Sequence, residues 1–201
     1  MLINLRNALM AGKRLPYDAE LEYLKSTMTQ WIDTGVIPDD TTGYFLRCSA
    51  NSVGGNKVPC GQREDGGNTR WYINFSSNLE FSWNTYKSVG AYNANTWYDI
   101  GFNWMNSRTG TKDGSTVFNI SQQLTTHTRT AYAFANHAPS SAANLFAGKI
   151  ASLKISQGAS LVRDFIPVRK GTVGYLYDRV SGKLFGNAGT GDFVLGPDKN
   201  A

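Results

Sequence analysis

Apolar residues in this chain recur mostly at every second position, in short runs. Trp71, Ile73 and Phe75 fall on one side of Arg70 to Phe75. Leu79, Phe81 and Trp83 do the same, as do Tyr98, Ile100, Phe102 and Trp104. A period of two marks a half-buried strand, so each row is read as an inward strand face. The clearest signals run from Leu145 to Gly196. There Ile150, Ser152 and Lys154 alternate with Ala151, Leu153 and Ile155, and Gln157-Gly158 breaks the run. Strands are expected at Leu161 to Val168, Val173 to Tyr177, Lys183 to Phe185 and Phe193 to Leu195, with Val180-Ser181-Gly182 as one corner. Earlier strands are expected at Glu20 to Lys25, Thr29 to Ile37, Gly43 to Ala50, Val58 to Arg63 and Val117 to Ser121. Lys112-Asp113-Gly114-Ser115 predicts a tight hairpin. The fold class is all-β, with antiparallel strands and glycine-rich corners.

One segment departs from this period. Leu2, Leu5 and Leu9 share a helical stripe, which predicts a short helix over Leu2 to Ala11, stopped by Gly12 and Pro16. The expected organisation is a docking segment over 1–16 and one sandwich domain over 17–201. The stripe either lies on its own sandwich or docks on another subunit. The expectation carried forward is partner docking through Leu2, Leu5 and Leu9.

Off-phase aromatics are the candidates for ligand contact. Tyr72, Tyr86 and Tyr92 fall outside the inward rows and are expected to face outward. Cys48 and Cys60 flank Gly54-Gly55, where a hairpin turn would set them opposite each other. They are read as two thiols, at least one buried, in preference to a disulfide. Two Cys and two His match no metal-site spacing. Asp39, Asp40, Asp65 and Asp113 sit in expected turns and are candidate calcium ligands. No string of oxygen ligands links them, so no cofactor is expected.

Composition narrows the classes. The 201 residues, 41% of them hydrophobic, suffice for one buried core. The net charge of +5 is spread along the chain, and no dense Lys/Arg run with interleaved aromatics argues for nucleic acid. No apolar run is long enough to cross a membrane as a helix. Met1 to Asn7 lacks the features of a secretory signal, so synthesis in the cytoplasm and exit by another route are expected.

Three stretches carry a family resemblance: LVRDFIPV, GYLYDRVSGKLFGNAGTGDF and YLKSTMTQWIDTGV. With Asn95-Thr96-Trp97-Tyr98-Asp99-Ile100, Lys112-Asp113-Gly114 and Phe146-Ala147-Gly148-Lys149-Ile150, they resemble the concanavalin A-like (laminin-G-like) domains of gut bacterial and prophage proteins. The resemblance covers about Tyr17 to Pro197. It implies a two-sheet antiparallel jelly roll with its first and last strands together, and core roles for Trp97, Phe146 and Ile150. Met28 stands where relatives usually have Gly. The superfamily holds lectins, hydrolases and adhesion modules. Its hydrolases carry a Glu-x-Asp-x-Glu strand or a near variant, and this chain has none. Glu20 and Glu22 form the closest carboxylate pair, and Glu64-Asp65 sits in a turn. The function expected is a non-catalytic adhesion or carbohydrate-binding module, a decoration or tail-associated protein of a phage-like particle. Its partners would be a glycan or cell-surface ligand and, through the N-terminal segment, other subunits of the particle or of a homo-oligomer, and its place the virion or an extracellular particle. The alternatives are a secreted or surface glycan-binding lectin domain of a bacterium, and last a glycoside hydrolase relative.

Overall fold

A computed structural model describes residues 15–65, 69–103, 108–121 and 126–199. The predicted helix, with Leu2, Leu5 and Leu9, lies outside them, as does Trp104. In chain order the strands are β1 (Ala19–Glu20), β2 (Leu24–Thr27), β3 (Ile32–Asp33), β4 (Thr42–Ala50), β5 (Lys57–Arg63), β6 (Arg70–Phe75) and β7 (Leu79–Trp83). There follow β8 (Thr85–Gly90), β9 (Tyr98–Asn103), β10 (Thr109–Lys112), β11 (Ser115–Asn119), β12 (Tyr132–Ala133), β13 (Asn136–His137) and β14 (Ala142–Ala143). The chain closes with β15 (Ala147–Gln157), β16 (Ser160–Lys170), β17 (Val173–Asp178), β18 (Lys183–Phe185) and β19 (Val194–Leu195). No helix occurs among the described residues.

These strands form two sheets. The first runs β11-β10-β9-β4-β15-β16-β17-β18, with β1 on β16 and β2 linking β15 to β19. The second runs β14-β13-β5-β6-β7-β8, with β12 joining β3 to β5. Pairing is antiparallel except between β13 and β5. The first and last strands close onto the same sheet, as the resemblance implies.

The predicted inward rows meet between the sheets. Leu46, Ile100, Leu153, Phe165 and Leu176 from the first sheet are buried with Trp71, Ile73, Phe75, Phe81 and Trp83 from the second. Rings interlock across the gap: Tyr44 meets Trp71 edge-on at 5.2 Å, and Trp83 meets Phe102 at 4.3 Å. Such packing fixes the sheets face to face and removes the apolar rows from water. The Asp-Gly turn forms as predicted. Asp113 and Gly114 both take positive φ, 50° and 79°, and Lys112 pairs with Ser115.

Three expectations need correction. Cys48 and Cys60 do not face each other across a hairpin. They lie on β4 and β5, in different sheets, as free buried thiols. Phe146 and Ile150 are core residues, but Trp97 is only half-buried, tilted against Tyr23 with Arg47 over its ring. Tyr98, the next residue, takes the core position. Finally, Thr29 to Ile37 is not one strand. Only Ile32–Asp33 pairs there, because Trp31, Thr34 and Val36 bond to loop and β12-flanking backbone instead.

Candidate functional site

The three tyrosines singled out by phase do not form one site. Tyr72 is only 5% exposed and Tyr92 4%, while Tyr86 is 52% exposed. The expectation that all three face solvent therefore fails for two. Tyr92 is a structural tie. Its hydroxyl accepts from Gly54 N at 3.1 Å and donates to Ser76 O at 2.9 Å, while its ring packs edge-on to Phe75.

Tyr72 does point away from the core, but it is covered. Its register partner on β5 is Gly61, where an added Cβ would fall 2.0 Å from the Tyr72 Cβ. The missing side chain lets the strands close up around Tyr72. Its hydroxyl meets that of Tyr86 at 2.7 Å. Burial, and then the bond to Tyr86, push the Tyr72 hydroxyl up to about 12.

A more open site lies on the outer face of the first sheet. A groove of about 490 Å³ is lined by Phe45, Gly101, Asn103, Thr111, Lys154, Ser156 and Leu161, among others. Register explains its shape. Thr111, Gly101, Phe45 and Lys154 stand side by side on β10, β9, β4 and β15. Their chain neighbours Tyr44, Leu46, Ile100 and Phe102 are core residues, so this row faces out. Gly101 has no side chain, and an added Cβ would stand 2.6 Å from Thr111 Oγ1. The floor is thus backbone, and Phe45, 43% exposed, stands next to it.

The groove's polar groups are neutral apart from one cation. Lys154 is exposed, and its cross-strand neighbour Asp164 is held by Arg179 at 2.7 Å. The named lining contains no carboxylate. This combination sets an exposed aromatic ring beside neutral hydrogen-bonding side chains and one lysine.

The aspartates considered for calcium are engaged separately. Asp39 accepts from Thr41 and Thr42, Asp40 pairs with Arg108, Asp65 lies near Arg129, and Asp113 accepts from Asp99 N. Among the described residues no three His, Cys, Asp or Glu side chains converge into a cation site. Sequence reasoning also missed a ring stack at the edge of the second sheet. Tyr132 lies between Trp31, at 4.2 Å, and His137, at 3.9 Å. His137 has the Thr130 carbonyl, the Thr130 hydroxyl and the Tyr132 hydroxyl as partners.

No protein-family model matches the sequence, and no curated protein does. Among solved structures, the chain is similar to a "putative carbohydrate binding protein" from Bacteroides ovatus, with a TM-score of 0.63 at 11% identity. The match covers 92% of this chain and 61% of that one, so the chain spans less than two thirds of that protein's length. At this identity the likeness is one of fold: both are built on the same two-sheet β-sandwich frame.

Proposed function

We propose that this protein is a non-catalytic, carbohydrate-binding sandwich of concanavalin A-like type, and that the glycine-floored groove beside Phe45 holds the sugar. The observation that carries the reading is an exposed aromatic ring beside a bare backbone floor. A pyranose has one apolar C–H face and a rim of hydroxyls. The first stacks on an aromatic ring, and the second bonds to Asn103, Thr111, Ser156 and Lys154. The carbohydrate-binding name of the similar Bacteroides protein agrees with this reading.

A glycan array on the isolated domain, followed by titration of its best neutral hit, tests the proposal. Phe45→Ala should weaken that hit at least tenfold with the fold intact. Gly101→Val, which fills the floor, should do the same. Unchanged binding in both variants sinks the groove. Turnover of the glycan, abolished by one Asp or Glu substitution, would establish the hydrolase alternative instead.

The finer reading is a decoration or tail-associated protein of a phage-like particle, held through 1–16. It rests on the sequence resemblance and the apolar stripe. Many copies would turn weak sugar contacts into avid attachment. Deleting residues 2–11 should leave the sandwich folded and abolish its assembly with a partner. An unfolded truncation would assign Leu2, Leu5 and Leu9 to the core.

A further inference from the structure

The face that holds the groove continues along β4 and β15 toward β2. Arg47 and Ser49 follow Phe45 on the outward side of β4, since Leu46, Cys48 and Ala50 lie in the core. Ser49 pairs with Lys149, and Lys149 pairs in turn with Lys25 on β2. Their chain neighbours Ile150 and Leu24 are core residues, so both lysines stand on the outer face. Like charges directly opposed across two strands repel. Among the described residues neither lysine has an ion-pair partner. Asp99 and Asp164, on the same face, are taken by Arg47 at 2.8 Å and by Arg179 at 2.7 Å.

Aromatic rings link the lysine pair to the groove. Lys149 Nζ stands 4.7 Å from the Tyr23 ring centroid, Tyr23 is tilted against Trp97 at 6.0 Å, and the Arg47 guanidinium lies 5.7 Å over Trp97. Both rings are half-buried. A ring face orients an ammonium group without neutralising it, so the charge stays available to a ligand. Lys154 pairs with Phe45 and Lys149 with Ser49, which sets the two lysines about 13 Å apart along the sheet. A single sugar beside Phe45 would leave the Lys25–Lys149 repulsion in place, whereas an oligosaccharide running along β4 reaches it.

We propose that Lys25 and Lys149 form an anion subsite beyond the groove, so that the ligand is an acidic oligosaccharide. One of its sugars lies on Phe45, and a sulfate or carboxylate further along bridges the two ammonium groups. That anion turns their mutual repulsion into two charge-assisted attractions. The saccharide part of this inference rests on the groove reading above, whereas the anion subsite rests on the lysine pair alone.

Isothermal titration with four probes of matched length tests it: a sulfated galactan, an oligogalacturonate, neutral galactan and single-stranded oligothymidylate. At least one acidic saccharide should bind at least tenfold tighter than neutral galactan, by a margin that falls as salt rises. The better acidic probe identifies sulfate or carboxylate as the natural group. Replacing both lysines, Lys25→Gln with Lys149→Gln, should remove the preference. The melting temperature should stay unchanged or rise, since a like-charge pair is relieved. Phe45→Ala should weaken acidic and neutral saccharides by a similar factor. Equal affinity for acidic and neutral probes overturns the subsite and leaves the groove standing, as does a preference retained in the double variant. Acidic binding that ignores Phe45→Ala but is lost in the double variant overturns the shared ligand and the groove with it. Oligothymidylate binding tighter than both acidic saccharides overturns the saccharide assignment in favour of nucleic acid.

Discussion

Met28 holds φ at 76°, a left-handed conformation that side chains disfavour, and its own side chain is 46% exposed. Nothing in the core needs that side chain. Replacing it with glycine removes the backbone strain, so Met28→Gly should stabilise the domain by about 1 kcal/mol in urea denaturation. A loss of stability would show that Met28 makes a contact worth more than its strain. The resemblance had marked this position, because relatives usually have Gly there, and the dihedral gives the reason. Burial separates two other residues that the resemblance had grouped. Phe146→Ala should cost about 3–5 kcal/mol, since the ring is fully buried against Phe75. Trp97→Ala should cost less, about 1–2 kcal/mol, because the ring keeps one side toward solvent. Equal losses would contradict the assignment of Tyr98 to the core in its place.

At the scale of elements, strand phase was legible and strand pairing was not. The rows Trp71-Ile73-Phe75 and Leu79-Phe81-Trp83 are inward, as their period demands. Phase also placed Tyr72 on the outer face, but it could not reveal that Gly61 lies directly opposite, which decides burial. The groove was hidden for the same reason. Tyr44-Phe45-Leu46 reads as a continuous apolar run, and only the register of β4 against β9 and β15 sets Phe45 between Gly101 and Lys154. The off-phase test that picked out the tyrosines would have found Phe45 had it been applied to that strand. The β17–β18 hairpin shows how a turn is secured by one residue. Burial opposes the charge on Asp178, but donors from Asp164 N, Ser181 and Val180 outweigh it and hold the carboxyl below its ordinary value. A depressed folded pKa makes this contribution complete above the unfolded value of about 3.9, and it is lost as pH falls through the lower folded value. Asp178→Asn should therefore be less stable at neutral pH and show a shallower stability loss between about pH 5 and 2. Identical slopes in urea titrations across that window would rule out Asp178 as a source of acid sensitivity.

For the whole molecule, the arrangement of sites follows from the sandwich having two outer faces. The Phe45 groove lies on one and the Tyr72–Tyr86 pair on the other, with the apolar rows between. The ends of the domain behave differently from its faces. Ala19–Glu20 pairs with Val168 and Arg169, while Leu24 and Lys25 pair with Leu195 and Val194. Leu21 bridges Asp198, which Arg169 grips at 2.6 Å. A mechanical pull between residues 17 and 198 would load only these short ladders, one rung after another, and they would peel at low force. A tether attached at one end alone would not open this clasp, since both of its halves move with the same body. Such a domain resists drag on a ligand held at its face and gives way when stretched between its own ends.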